Sequence, residues 1–322
     1  MDYYRSLTFA QSTKSSYKCH LFSLKKYCED TGQCAVPVAT HTLCRYAAYL
    51  ADKLSFNSIP KYLNIVRILH LEASLPNPLH QNWVLNSVLT GIKRHKGASV
   101  QQKLPITPAI LLKIRATLHL EQPRDIVFWC VCVVAFYGLL RKSNILPNGR
   151  RAFNAEIHLT RNNLYITPLG YYLSVNWSKT NQFRERKVTV PLPYLHNHPL
   201  CPAKAITNLL ALHPHAPLQS PLFCCPVPDG TAILTQAQFV ARLRGTLATL
   251  GFPPERYSGH SFRRGGATWA FAAGVPGELI QIMGDWRSDA YKRYLDTFYI
   301  RISTFRKTFC SALAKQIIGN GL

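Results

Sequence analysis

Acidic side chains are scarce in this sequence of 322 residues, which has 15 Asp and Glu against 38 Lys and Arg and a formal net charge of +23. The excess is not confined to one tail, because residues 1–100 carry 12 basic and 5 acidic groups and residues 101–322 carry 26 and 10. A folded protein this positive repels itself unless it binds a polyanion. The charge therefore predicts a nucleic-acid partner. A generically basic soluble protein is the alternative.

The sequence also lacks a membrane span, a zinc-type cysteine spacing and a secretory signal. Its longest apolar run, IVFWCVCVVAFYGLL at 126–140, is too short to cross a bilayer and is followed by Arg141 and Lys142. The ten cysteines include no Cys-x-x-Cys pair, and those at 130, 132, 224 and 225 lie in apolar runs typical of reduced cysteines. The first 17 residues have no apolar core. We therefore expect a cytosolic or nuclear protein.

The periodicity predicts a mainly α fold with one small antiparallel sheet. Residues 7–95 show four to five short amphipathic helices with little else between them. The polar segment HKGASVQQKLPITP at 95–108 cannot continue a helix, since it contains Gly97, Pro105 and Pro108. This predicts a helical domain over 1–96, a linker over 97–106 and a second domain over 107–322.

The period changes within the second domain. The stretches NLYITP, YYLSVNWSKT and RERKVTVPLP, within residues 156–193, are rich in β-branched and aromatic residues and predict the sheet. Helices are expected again from residue 202, and the last of them in this part of the chain is SDAYKRYLDTFYIRIS. Lys179 is expected on the tip of the hairpin.

The stretch GHSFRRGGATWAF at 259–271 places His260 and Arg263 three residues apart, so that on a helix they share one face. One such pair is weak evidence in so basic a chain. Three further features add to it: Arg141 directly after a buried helix, Lys179, and Tyr294 downstream. No carboxylate cluster is present to hold Mg²⁺, so cutting a phosphodiester would require a protein nucleophile. We expect no metal and no cofactor.

The order Arg, Lys, His-x-x-Arg, Tyr resembles the tyrosine recombinases, which are phage-integrase-like DNA strand-transfer enzymes. FYGLLRKSNIL is similar to their first-arginine motif, and GHSFRRGGATWAFAAG is similar to their His-x-x-Arg box. IQIMGDWRSDAYKRYL is similar to the segment that ends in their tyrosine. The resemblance spans nearly the whole chain. It is greatest to the eukaryotic mobile-element branch, the Crypton- and DIRS/Ngaro-like recombinases.

This resemblance implies a two-domain clamp, with a helical core-binding (SAM-like) DNA-binding domain over 1–96 and an integrase-like catalytic domain over 107–322. It implies transposon-type, site-specific recombination of double-stranded DNA through a 3′-phosphotyrosyl intermediate, without metal or ATP. The implied assembly is a dimer on each site and a tetramer in the synaptic complex, with a segment from about residue 300 docked on a neighbour. The expected location is the nucleus for a eukaryotic mobile element and otherwise the cytoplasm. The alternatives are an inactive, domesticated DNA-binding protein and a relaxing enzyme similar to type IB topoisomerases.

The resemblance also implies roles for individual residues. Arg141 and Arg263 would bind the non-bridging oxygens of the scissile phosphate, since a guanidinium fork suits phosphate and stays charged. His260 would donate to that phosphate or assist deprotonation of the tyrosine. Lys179 would protonate the leaving 5′-oxygen, and Tyr294 would attack phosphorus.

Some positions depart from the family pattern or have a rival. The family has His or Trp nine residues before the tyrosine, where this chain has Asp285, and an aspartate would repel phosphate. We therefore expect the neighbouring Trp286 to take that place through its indole N–H. Tyr291 is a rival nucleophile, but spacing favours Tyr294. Asn144, where many relatives have glutamate, is expected to be structural. DNA-backbone contacts are expected from Lys93, Arg94, Lys96, Lys142, Arg264 and Arg287.

Overall fold

The computed structural model describes residues 2–98, 102–178, 181, 185–228 and 230–296. The chain divides into two compact units, residues 1–101 and residues 102–322. Two predicted features lie outside the described residues. One is Lys179 and the other is the docking segment from about residue 300.

The first unit is helical: α1 spans Asp2–Ser6, α2 Gln11–Thr31, α3 Thr40–Lys53, α4 Ile59–Glu72 and α5 Trp83–Lys96. Its core is formed by apolar faces of α2, α3 and α4, where Leu24, Tyr46 and Val66 are buried. Gly32 ends α2 with φ 64°, a left-handed conformation that glycine adopts without strain. Asn82 begins α5, because its side chain accepts a hydrogen bond from the Leu85 N–H at 3.0 Å.

The second unit contains seven helices among its described residues, together with shorter 3-10 turns: α6 Pro108–Ala116, α7 Pro123–Tyr137, α8 Lys142–Ile145, α9 Pro202–Ala211, α10 Gln236–Thr249, α11 Gly259–Ala272 and α12 Gly277–Met283. The centre of the core is α7, in which every residue from Asp125 to Phe136 is buried. No helix of the described residues is long and apolar enough to cross a membrane.

Two small antiparallel sheets belong to the second unit. The predicted sheet is formed by β1 Leu164–Thr167, β2 Gly170–Val175 and β3 Val188–Pro193, with β2 in the middle. Leu173 of β2 lies opposite Val190 of β3, and both are buried in the core. A second hairpin, β4 Cys224–Val227 with β5 Gly230–Ile233, was not predicted. Its strands, CCPV and GTAI, do not alternate apolar and polar residues, so no period-2 pattern marks them.

The predicted helix SDAYKRYLDTFYIRIS is wrong for the part that the structure describes, which is a 3-10 helix over Asp289–Tyr294. Thr268 of α11 donates its hydroxyl to the Tyr294 carbonyl at 3.4 Å and accepts the Asp296 N–H at 3.0 Å. These bonds occupy backbone groups that a continuing α-helix would use, so the segment is held to α11 instead.

Two consecutive glycines determine how deeply α11 sits in the second unit. A Cβ on Gly265 would overlap the main chain of Ile106, and one on Gly266 would overlap the carbonyl of Phe136. Only glycine permits this approach of backbone to backbone. Because α11 lies so close to the end of α7, Arg263, two residues before Gly265, is placed inside the protein rather than on its surface.

Candidate active site

Arg263 is the most unusual side chain in the second unit, because it is a cation with only 1% of its surface exposed. Its Nη1 donates to the carbonyl oxygen of Leu139, and its Nη2 donates to that of Gly284 at 2.6 Å. Both of these acceptors are main-chain carbonyls rather than carboxylates. The guanidinium is therefore held in place without being neutralised.

Both carbonyls lie at the C-terminal ends of helices. Leu139 follows α7 with φ 49°, and Asp285 follows Gly284 at the end of α12 with φ 54°. After α12, the Asp285 and Trp286 N–H groups bond back to Ile282 and Gln281, which terminates the helix in a left-handed residue. Carbonyl oxygens at helix C-termini carry partial negative charge, so two helix ends stabilise the Arg263 cation.

Two aromatic rings complete the surroundings of Arg263. The ring of Trp286 lies 3.6 Å from the Arg263 Cζ, and that of Tyr294 lies 5.2 Å from it. The two ring centroids are 5.1 Å apart. Trp286 is buried, whereas Tyr294 is half-buried. The structure thus brings Arg263, Trp286 and Tyr294 into one cluster, in which aromatic faces stabilise the cation.

This cluster contains two buried donors without an acceptor among the described residues, the Nε of Arg263 and the indole Nε1 of Trp286. Burial and, to a lesser extent, the nearby Arg141 cation lower the pKa of Arg263 to about 9, while Tyr294 and Asp285 oppose the shift. At neutral pH the side chain still carries its charge. A buried cation with unsatisfied donors around it has the character of an anion site.

Arg141 approaches the cluster from the end of α7. It precedes α8, and its N–H donates to the Asn144 side chain at 3.2 Å. Asn144 is buried and in turn donates to the Trp177 carbonyl at 3.2 Å, just beyond β2. Asn144 therefore ties the Arg141 backbone to the strand that leads to Lys179.

His260 lies in the first turn of α11, on the same helix as Arg263, and is exposed. The helix begins at Ser258, whose hydroxyl accepts the His260 N–H at 3.3 Å. The Ser261 hydroxyl accepts the Ser258 N–H in return, at 3.0 Å. This reciprocal capping fixes the turn that carries His260.

Asp285 and Trp286 are adjacent in the sequence, but their side chains contact different residues. Trp286 packs on Arg263, whereas the Asp285 carboxylate accepts hydrogen bonds from Ser178 at 2.7 Å and from the Arg186 Nε at 2.9 Å. The rival Tyr291 is buried, with its hydroxyl against Gly277. Tyr294, by contrast, is partly accessible beside Arg263. This placement favours Trp286 and Tyr294 for the roles predicted for them, which stay predictions.

Arg264 has surroundings that differ from those expected of a DNA-backbone contact. Its Nη2 pairs with Asp296 at 3.2 Å, its Nη1 donates to Gln102, and its side chain is only 15% exposed. Asp296 comes two residues after Tyr294. Arg264 therefore ties α11 to the chain just past the tyrosine, and its predicted contact with DNA stays a prediction.

The other five predicted DNA contacts are at or near the surface. Lys93, Arg94 and Lys96 form the exposed last turn of α5, where Lys96 donates to the Ala51 carbonyl. Lys142 is half-buried and would overlap a Cβ on Gly259. Arg287 is exposed and pairs with Glu185 at 3.2 Å. These placements leave their predicted contact with DNA as a prediction.

Several residues of the site were not found from the sequence. The carbonyls of Leu139 and Gly284 carry no side-chain signal, although the Gly284-Asp285-Trp286 sequence marks a helix end. Ser178 and Arg186 are distant from Asp285 in sequence, and no spacing rule joins them. The Gly265-Gly266 pair was the one usable signal, because consecutive glycines inside a helix indicate close backbone approach.

No protein-family model matches this sequence, and no curated protein matches it either. Among solved structures, the chain is similar to the Tn1549 transposon integrase (residues 82–397, Y379F) in complex with transposon right end DNA. That match has a TM-score of 0.60 and 14% identity, and it covers 94% of this chain and 95% of the other.

Two further structures are similar over almost the same extent. A lambda integrase (residues 75–356) dimer bound to a COC′ core site has a TM-score of 0.60 at 14% identity, covering 92% of this chain and 93% of the other. The XerH site-specific recombinase bound to palindromic difH substrate, in a post-cleavage complex, has a TM-score of 0.61 at 14% identity and covers 95% and 80%. The chain has the integrase-like fold. The predicted fold class, mainly α with a small antiparallel sheet and an integrase-like catalytic domain, is confirmed.

Proposed function

We propose that this protein is a DNA strand-transfer enzyme of the tyrosine-recombinase type, acting on specific sites in double-stranded DNA. The observation that carries this proposal is the Arg263 pocket. A buried cation held by two helix ends lies beside a half-buried tyrosine, and donors on this cation and on Trp286 have no acceptor among the described residues. This arrangement suits one anionic oxygen group placed next to a nucleophile.

In the proposed reaction the Tyr294 oxygen attacks phosphorus and the bond to the 5′-oxygen breaks. Arg263 and Arg141 stabilise the charge on the non-bridging oxygens, and the Trp286 N–H adds a neutral donor. His260 receives the tyrosine proton or donates to the phosphate, and Lys179 gives a proton to the 5′-oxygen. The 3′-phosphotyrosyl link conserves the bond for rejoining, so no nucleotide cofactor is required.

The finer parts of the proposal extend from the resemblance seen in the sequence. We propose a transposon-type recombinase of the Crypton- and DIRS/Ngaro-like branch that acts in the nucleus. Its domains would be 1–96 and 107–322, and it would assemble as a dimer on each site and a tetramer in the synaptic complex. The likeness to solved complexes of the Tn1549 and lambda integrases with DNA supports the DNA partner.

Covalent capture from a pool of nicked duplexes tests the proposal, because a pool randomised around the nick contains the target whatever its sequence. Cleavage close to a nick releases a short oligonucleotide, so the adduct cannot reverse and accumulates. We expect the full chain of 36.4 kDa to form a denaturant-stable adduct with a subset of the pool. Sequencing the captured DNA then gives the site. The absence of any adduct from the pool would contradict strand transfer by this protein.

The same pool of duplexes separates the remaining alternatives. Joining of two duplexes by the wild-type protein would support recombination. Relaxation of supercoiled DNA without joining would indicate a topoisomerase-like enzyme. Selective, non-covalent retention of a subset of the pool without an adduct would indicate an inactive DNA-binding protein.

A further inference from the structure

Asp285 binds both described ends of the loop between β2 and β3, which spans residues 176–187. The Ser178 hydroxyl donates to Asp285 Oδ2 at 2.7 Å near the start of the loop. Near its end the Arg186 guanidinium binds Asp285 Oδ1 through Nε at 2.9 Å and also through Nη2. The Asp285 side chain is only 9% exposed, so this ion pair is shielded from solvent on the acidic side.

The base of the same loop is braced internally by Asn181, which is buried with 1% exposed. Its amide donates to the Asn176 carbonyl at 3.2 Å and to the Arg186 carbonyl at 2.5 Å. The Asn181 side chain and the Asp285 carboxylate therefore act on the same two ends of the loop. Buried polar groups that are satisfied in this way specify one geometry.

The place of Asp285 in the chain connects this anchor to the pocket. The neighbouring Trp286 belongs to the Arg263 pocket, and the left-handed conformation of Asp285 lets the two side chains serve different partners. A carboxylate turned toward Arg263 would repel an incoming phosphate. Pairing with Arg186 compensates that charge and links the helix end behind the pocket to the loop.

We propose that Asp285 is a positioning residue that fixes both described ends of the β2–β3 loop relative to the Arg263 pocket, and that proton donation by Lys179, which this loop carries in the sequence, depends on it. The inference rests on the proposed function, because it concerns the same cleavage step. Lys179 directly follows Ser178 in the sequence, so an anchor on Ser178 acts on the residue next to the acid.

The step affected is departure of the 5′-oxygen. The Tyr294 oxygen forms a bond to phosphorus, the bond from phosphorus to O5′ breaks, and its electron pair stays on O5′. That oxygen takes a proton from the Lys179 ammonium, while the tyrosine proton passes to His260 or water. In a substrate with sulfur in place of O5′, the 5′ end leaves as a thiolate, which needs no proton. Cleavage of this substrate therefore does not require the general acid.

The experiment compares Asp285→Asn with wild type on the duplex that the wild-type protein captures, made once with oxygen and once with a 5′-bridging sulfur. We expect adduct formation to fall about 100-fold on the oxygen substrate, the scale of lost general-acid catalysis. We expect it to stay within about threefold of wild type on the sulfur substrate, because the acid is then not needed. Arg186→Gln should show the same pattern. An equal loss on both substrates would overturn the proposal.

Glu185→Gln is the matched control. Glu185 lies on the same loop and forms an ion pair with Arg287, but both partners are more than half exposed at 58% and 55%. Such surface pairs contribute little. We expect this variant to cleave both substrates as wild type does. A loss as large as that of Asp285→Asn would show that any charge change on the loop has the same effect, and would overturn the assignment to Asp285.

Hydrogen exchange tests the anchor without requiring any reaction. In Asp285→Asn, amides in residues 174–190 should exchange at least about tenfold faster than in wild type, with α7 unchanged. Unchanged exchange in that segment would overturn the positioning role, even if cleavage were impaired. Failure of the wild-type protein to form an adduct would instead refute the proposed function, so the two failures are distinguishable.

Discussion

The end of α5 and the pocket around Arg263 are both basic, but the cations of α5 are exposed to solvent and that of Arg263 is buried. Lys93, Arg94 and Lys96 are exposed on the last turn of a helix. Arg263 is buried, with two carbonyls and two aromatic rings around it. Exposed cations bind a polyanion through screened, long-range attraction and are individually replaceable. A buried cation acts at one fixed point, where each donor is strong because water is excluded.

The same contrast recurs between two neighbouring arginines. Arg263 has carbonyl acceptors, whereas Arg264 is paired with Asp296 and hydrogen-bonded to Gln102. The pairing compensates the charge of Arg264 and holds the chain two residues after Tyr294 against α11. Charge that remains uncompensated after folding therefore indicates where an anion is bound, and compensated charge indicates what holds the site together.

The largest expected effect comes from removing the buried charge. In Arg263→Gln we expect adduct formation in a single turnover to slow by about 10³-fold, because a fixed donor to the developing charge is lost. Arg264→Gln provides the comparison, and we expect a loss of about tenfold, through poorer placement of Tyr294. Equal losses in the two variants would remove the distinction between them. DNA affinity, measured in parallel, should change little in either variant.

The close approach of α11 to its neighbours should be sensitive to a single methyl group. We expect Gly265→Ala to lower the free energy of unfolding by about 2 kcal/mol, because the Cβ overlaps the main chain of Ile106. Gly245→Ala on α10 is the control, since nothing lies within 4 Å of its added Cβ. There we expect a gain of about 0.5–1 kcal/mol from helix propensity. Denaturant unfolding measures both, and destabilisation of equal size would contradict the packing argument.

The buried indole N–H of Trp286, which has no acceptor among the described residues, should contribute less to adduct formation than Arg263 does. Trp286→Phe keeps an aromatic ring on Arg263 but removes the indole N–H, so we expect adduct formation to fall about tenfold. The thermal midpoint serves as the structural check and should shift by only a few degrees, roughly the effect of a 1 kcal/mol change. Wild-type cleavage in this variant would show that the indole N–H has no part in phosphate binding.

The exposed basic turn of α5 should affect binding alone. Replacing Lys93, Arg94 and Lys96 together with Gln should lower the slope of log affinity against log salt by up to about 2.7, if each meets one phosphate. Cleavage of already bound DNA should stay within about twofold of wild type, since no residue of the pocket itself is changed. A large loss of cleavage at saturating DNA would show that this turn takes part in the catalytic step, and would contradict a role in binding alone.

Much of the architecture could be predicted because it follows from local pattern. Gly32 as a helix stop, the buried helix over α7 and the three-stranded sheet all depend on residues close in sequence. The hairpin of β4 and β5 shows no such pattern, because its strands do not alternate apolar and polar residues. The 3-10 form of Asp289–Tyr294 depends on Thr268, whose bonds are tertiary and leave no trace in the local sequence.

From the sequence, the site could be predicted only as a set of residue types in a given order. Arg263, Trp286 and Tyr294 were proposed together, and they lie together in the structure. That Arg263 would be held by carbonyls of two helix ends could not be foreseen, because backbone acceptors are present at every residue. The partner of Asp285 was equally hidden, since Arg186 lies 99 residues away.

The central claim is that Tyr294, rather than the buried Tyr291, attacks DNA beside Arg263. Trypsin separates the two, because Lys292 and Arg293 lie between them. Mass spectrometry of the digested, nuclease-trimmed adduct therefore measures the claim directly. We predict a nucleotide linked through its 3′-phosphate to Tyr294, in the peptide spanning 294–301. We also predict no adduct from Tyr294→Phe under conditions where Tyr291→Phe still forms one. A nucleotide on Tyr291, or an adduct from Tyr294→Phe, would contradict the account.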